Sequence, residues 1–156
     1  MRGFSTVLVS LAVCATAAAQ VLPITIRVSS ETAPPGGMAQ MKVLMTSPKP
    51  ITSGNMFIDL TAVSFDSIDG IALFSDMGDV SGAAVVNGSN VNMQFTSPKG
   101  TFGANSSYPL MTVALRLNAG VQNGQVFPVS LNSSASFWQD LLGLTFPVEL
   151  QAGSIT

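Results

Sequence analysis

The chain has no histidine, and its one cysteine, Cys14, lies within the first twenty residues. The first absence removes Ser-His-Asp and Cys-His catalysis and every histidine-ligated zinc site. The second removes thiol chemistry, iron–sulfur ligation and disulfides from everything downstream of Cys14. Charge is also scarce, at 9% of residues, and aromatics make up 7%, with one Trp and one Tyr. No glycine-rich phosphate loop joins a strand to a helix, and no segment keeps a capped 3.6-residue period. Two catalytic routes remain open, a carboxylate pair of the glycosidase type and a Ser–Lys pair. Asp59 and Glu149 stand singly in strand-like runs, the other acids fall mostly in turn-like segments, and no spacing singles out a Ser–Lys pair. The chain therefore reads as a non-enzyme.

Long apolar runs are missing too. The longest, Phe4 to Val13, is shorter than the roughly 20 residues that a membrane span requires. It follows Arg2 and precedes Ala17-Ala18-Ala19, so residues 1–19 read as a signal peptide with a positive start, an apolar stretch and a small-residue cleavage site. A lipoprotein reading would lipidate Cys14, but Val13 is bulkier than the small residue such signals place there. Cleavage after Ala19 leaves residues 20–156 as one secreted domain without cysteine, with cell-surface association as a variant of the same export. About 137 residues suffice for a core without disulfides. With Arg2 removed, five basic and eight acidic side chains remain. A net charge of −3 disfavours nucleic acid and anionic membranes as partners.

What is present is period-two alternation. Ile24, Ile26 and Val28 alternate with polar residues, as do Met41, Val43 and Met45, then Val91, Met93 and Phe95, then Val113, Leu115 and Leu117, then Phe146, Val148 and Leu150. Successive strand residues point to opposite faces, so each run predicts a strand with one buried and one wet face. Pro34-Pro35-Gly36-Gly37, Ser53-Gly54-Asn55, Asn87-Gly88, Asn123-Gly124 and Ala152-Gly153 punctuate the runs. Asn87-Gly88 between two apolar runs predicts a tight hairpin. The fold class is all-β, an antiparallel jelly-roll β-sandwich of about nine strands. Thr46-Ser47-Pro48-Lys49 recurs as Thr96-Ser97-Pro98-Lys99. Both copies read as strand ends, with Pro stopping the ladder and Lys discouraging edge pairing.

Candidate sites are few. Phe65 to Asp79 holds four of the eight acids, Asp66, Asp69, Asp76 and Asp79. Calcium is the cofactor they would suit, since it takes six to eight oxygen ligands. Their spacing is not that of an EF-hand, and Asp is an ordinary turn residue, so the preferred reading is a buried strand around Ile71 to Phe74 between two Asx-rich turns, with no cofactor. Phe137-Trp138 is an adjacent aromatic pair, and an exposed Trp138, with Tyr108 as a weaker second, would form a sugar-stacking platform. The alternative is that both rings of the pair close the core. The methionines downstream of the signal are scattered over inward strand positions and read as core filling rather than copper ligands. Asn87, Asn105 and Asn132 each begin an Asn-x-Ser triplet, a glycosylation acceptor in a eukaryotic secretory route.

LMTVALRLNAGVQNGQVFPVSL followed by ASFWQDLLGLTFPVELQAGSIT resembles the C-terminal half of a cohesin-type domain. The matching order is a strand at Met111 to Asn118, a Gly-x-x-x-Gly turn at Gly120 to Gly124, a strand at Val126 to Leu131, a hairpin at Phe137 to Glu149 and a terminal strand at Gly153 to Thr156. ITIRVSSETAPPGGMAQMKVLM resembles the family's first two strands, and Asn55 to Leu60 its third. The resemblance implies a nine-stranded jelly roll, shared with some carbohydrate-binding modules, that binds a dockerin through one sheet face and assembles polysaccharide-degrading complexes. TAVSFDSIDG departs from the family's Tyr-Asp-Pro-type turn after strand three. On that reading Asn92, Gln94 and Thr96 belong to a protein-binding face. A carbohydrate-binding module using Trp138 or Tyr108, and a structural cell-surface domain, are the alternatives.

Overall fold

The computed structural model describes residues 22–73, 81–96, 107–132 and 136–156. They form β1 (Ile24–Val28), β2 (Met38–Thr46), β3 (Ser53–Asp59), β4 (Phe65–Leu73), β5 (Ser81–Asn87), β6 (Asn90–Thr96), β7 (Ser107–Leu117), β8 (Phe127–Leu131), β9 (Phe137–Gln139), β10 (Val148–Gln151) and β11 (Gly153–Ile155). One sheet has the order β10-β1-β2-β7-β4 and the other β11-β8-β3-β6-β5, with β9 also paired to β3. The sandwich is all-β, as the alternation predicts. The described residues hold eleven strands, the last three of them only three or four residues long. It is also not wholly antiparallel: β1 and β10 run parallel, with Ile24 opposite Val148 and Arg27 opposite Gln151.

The core lies between the sheets and is built from the inward half of each alternating run. Ile24, Ile26, Met41, Val43, Met45, Val113 and Leu115 come from one sheet, and Met56, Ile58, Val91, Met93 and Val129 from the other; all are buried. Each such side chain contributes about 1.5–3 kcal/mol by leaving water. Met41, Met45, Met56, Met93 and Met111 are fully enclosed, which agrees with core filling. The hairpin is where Asn87-Gly88 places it. Asn87 pairs with Asn90, and Gly88 has φ 59°, a conformation that costs glycine little.

Two readings of strand edges change. Thr46-Ser47-Pro48-Lys49 does end β2, and the buried Ser47 donates from Oγ to the carbonyl of the exposed Lys49 at 2.6 Å. But β2 lies between β1 and β7, so its Lys guards no edge. In the second copy, residues 97–99 lie outside the described residues. Phe65 to Leu73 is likewise not a turn followed by a buried strand. It is a single strand at the edge of its sheet, paired with β7, and its residues are half-buried or exposed.

Candidate functional site

The β4 edge is where the acids are. Its register with β7 skips Asp66, between Phe65 and Ser67, and Asp69, between Ile68 and Gly70. Each aspartate is thus the extra residue of a bulge, which twists the strand and leaves that residue out of the ladder. Asn118 Nδ2 donates to Asp66 Oδ1 at 2.8 Å, and Arg116 donates to Asp69 Oδ2 at 2.7 Å. Ser67 Oγ donates to Asp69 Oδ1. That hydroxyl, and then Arg116, hold the Asp69 carboxyl below the usual carboxylate range. The two acids are thus bulge residues with partners from β7 and its end, not turn formers. Asp76 and Asp79 lie outside the described residues. No group of three or more Asp, Glu, His or Cys suited to a metal occurs among the described residues. The Asx chemistry expected of Asp66 and Asp69 is found elsewhere. Asp140 accepts from the Leu142 and Leu144 amides at 2.8 and 3.0 Å, and Asp59 from the Thr61 amide at 2.8 Å.

The aromatic candidates move inward. Trp138 is 0% exposed. β9 pairs with β3 so that Trp138 stands opposite Gly54, and the indole packs on Phe95 with ring centroids 5.0 Å apart. It fills the space above a glycine on the inner face, so it offers no stacking surface. Phe137 points the other way and is 42% exposed. Tyr108 stands opposite Met45 and packs against the core, half-buried. Trp138 therefore offers a sugar no ring face, and Tyr108 shows only part of its ring.

The sheet face holds together. Asn92, Gln94 and Thr96 all point outward from β6. The ladders place Asn55 and Ala83 beside Gln94, Phe57 and Val85 beside Asn92, and Asp59 and Asn87 beside Asn90. Phe137 joins this face from β9, its amide donating to Asn55 Oδ1 at 2.9 Å, and Ser130 joins from β8 opposite Asp59. An open depression of about 410 Å³ lies between Phe57, Val85, Asn92 and Asn132. Asn92 Oδ1 is buried yet accepts no hydrogen bond from the described residues. A desolvated acceptor left unpaired costs about 1–3 kcal/mol. Phe57, Val85 and Phe137 are absent from the polar residues by which the sequence marks this face. Val85 was within reach, because the Asn87-Gly88 hairpin register sets it opposite Asn92.

The two outer faces differ in charge. Arg27, Lys42, Asp69, Arg116 and Glu149 belong to the β10-β1-β2-β7-β4 sheet, and among the described residues Asp59 is the only ionisable side chain pointing outward from β3, β5, β6, β8 or β9. The second sheet thus offers amides, hydroxyls, an alanine, a valine and two phenylalanines. Such a face can hydrogen-bond and bury apolar surface at once. Asp59 is its one carboxylate among the described residues, and it accepts from the Thr61 amide and hydroxyl.

No family model matches the chain, and no curated protein matches it. Solved structures do. A non-cellulosomal cohesin from the hyperthermophilic archaeon Archaeoglobus fulgidus superposes with a TM-score of 0.67 at 18% identity, covering 86% of this chain and 90% of that one. A type I cohesin–dockerin complex from Clostridium thermocellum gives 0.66 at 13% identity, covering 85% and 92%. The solution structure of CaCohA2 from Clostridium acetobutylicum gives 0.65 at 13% identity, covering 88% and 92%. At these identities the likeness is one of fold, and the fold of this chain is that of a cohesin-type β-sandwich.

Proposed function

We propose that this chain is a secreted, non-catalytic binding module that takes a dockerin-like protein on the outer face of β8, β3, β6 and β5. The observation that carries the reading is the contrast between the two sheets. Interface cores are depleted in charge and enriched in aromatic side chains, and the face around Phe57, Asn92 and Gln94 has that composition while the opposite face does not. The fold supports the class of partner, because the Clostridium thermocellum neighbour is a cohesin–dockerin complex. Export rests on residues 1–19, and the place in polysaccharide degradation rests on the cohesin resemblance. The module acts without a cofactor of its own; Asp66 and Asp69 are already engaged by Asn118 and Arg116.

The test is calorimetric titration of the chain with a panel of recombinant dockerin modules. Binding by at least one is expected, weakened at least tenfold by Gln94→Arg with an unchanged melting temperature, and unaffected by Lys42→Glu on the other sheet. Failure of every dockerin to bind, or equal sensitivity to both substitutions, would overturn the reading.

A further inference from the structure

A β-sandwich has four sheet edges, and exposed edges invite pairing unless something blunts them. Three of the four are blunted here. β4 carries two bulges and two aspartates. β10 is four residues long, follows Pro147 and contains Glu149. β11 is already occupied along its outer side: Glu31 donates to the Ser154 carbonyl at 2.8 Å, Thr156 to the Glu31 carbonyl at 2.9 Å and Ala33 to the Thr156 carbonyl at 2.9 Å. β5 has none of these devices. Its sequence, Ser-Gly-Ala-Ala-Val-Val-Asn, has no charge and no proline; its register with β6 is unbroken, and among the described residues only β6 pairs with it.

The hairpin sets which groups face outward. A two-residue turn makes Asn87 and Asn90 a hydrogen-bonded pair, and the alternation of an antiparallel ladder then bonds Val85 and Ala83 to β6 as well. The N–H and C=O groups of Gly82, Ala84 and Val86 are left pointing away from the sheet. Val85 is 61% exposed on the outer side of the strand, and Val86, on the inner side, is still 45% exposed. The edge is apolar on both sides.

We propose that the free edge of β5 pairs antiparallel with β5 of a second copy of this chain, about a two-fold axis at Ala84. The strand is complementary to itself in that register. Gly82 meets Val86 of the second copy and Ala83 meets Val85, so a small residue faces a large one on each side of the ladder, and Ala84 meets Ala84. The outward backbone groups of all three residues are satisfied, and β5 itself carries no charge. A local two-fold in an antiparallel ladder is perpendicular to the sheet, so the two outer faces lie side by side. The pairing does not depend on what those faces bind. A contact of one short strand buries less than the roughly 1,200–2,000 Å² of stable interfaces, so the dimer is weak and forms at high concentration.

The experiment uses the chain from Gln20, which contains every described strand and lacks Cys14. Sedimentation velocity is run from low micromolar to about 500 μM, and single-cysteine variants are mildly oxidised. Ala84→Cys places two cysteines across the axis with Cα atoms about 5.5 Å apart, within disulfide range. Asn87→Cys places them roughly 20 Å apart. The expected result is concentration-dependent dimer, cross-linking of Ala84→Cys only, and at least tenfold weaker association for Val86→Lys. If Val86→Lys melts well below the parent, Val85→Lys serves in its place. Monomer throughout, equal cross-linking of both cysteine variants, or undiminished association of a folded lysine variant would each overturn the proposal.

Discussion

Gly54→Ala is a one-carbon change that the packing forbids. Gly54 occupies an inward position of β3, in line with Met56 and Ile58, with no positive φ to explain the glycine. Trp138 explains it. A methyl group at residue 54 would lie 2.5 Å from Trp138 Cε3 and 2.9 Å from both Trp138 Cδ2 and Phe95 Cε1, where contacts of about 3.5–4 Å are favourable. The indole cannot simply retreat. It is fully buried, it packs at a tilt against Phe95, and its own backbone pairs with Gly54. Overpacking of a close-packed site costs about 1–3 kcal/mol. Against this stand a buried methyl, about 0.8 kcal/mol, and the lower unfolded-state entropy of alanine, about 0.4–1 kcal/mol. Those gains need a methyl that fits, so the clash wins. For a domain of this size the melting temperature falls by roughly 4–12 °C. The assay is a melt of four proteins: the parent, Gly54→Ala, Trp138→Leu and the double variant. Trp138→Leu leaves a cavity that the new methyl partly fills, so the double variant is more stable than the sum of the singles predicts, by about 1 kcal/mol. A Gly54→Ala melt within 1 °C of the parent, or additivity, would refute the account of how Trp138 is seated.

Other consequences follow from the same geometry. Trp138 emission should be blue-shifted and resistant to acrylamide quenching; a red-shifted, readily quenched signal would return the indole to the surface. The Asp69 carboxyl titrates below its ordinary range when folded, so its stabilisation is complete above that range and is lost as pH falls through about 4 and below. Melts of Asp69→Asn and parent should therefore converge as the pH is lowered from 7 to 3, and a gap that widens on acidification has the wrong sign. Calcium and chelator should give the same melting temperature at fixed ionic strength. A ligand at a hundred times its dissociation constant stabilises by about 2.7 kcal/mol, so a shift of that size would make the acids a site after all.

Much of the sandwich is legible in the sequence because period-two alternation records which side of a strand is wet, and most turn residues record where it ends; Ser53-Gly54-Asn55 instead lies inside β3, where the glycine makes room for Trp138. β1, β2, β6 and β7 are readable for that reason. Phe65 to Leu73 is not, because each bulge inserts a residue and scrambles the period, and an edge strand is half-exposed on both sides. The parity of Phe137-Trp138 is equally silent: one ring must face in and one out, and only the pairing with Gly54 settles which. Asn92, Gln94 and Thr96 are readable as a face, since they are the polar half of a clean alternation. Phe57 is hidden inside Met56-Phe57-Ile58, an apolar run that conceals an outward side chain. Sheet order leaves no local trace, so Lys49 looks like an edge guard on a strand that turns out to be internal.

We propose that the face of β8, β3, β6 and β5 receives a protein partner. Backbone amide shifts of the isotopically labelled chain, followed during titration with a dockerin module, test it directly. Perturbations centred on Asn55, Phe57, Asn92 and Gln94 are expected, with Arg27, Lys42 and Arg116 unmoved. Perturbations centred on the opposite sheet, or none at saturating partner, would contradict it.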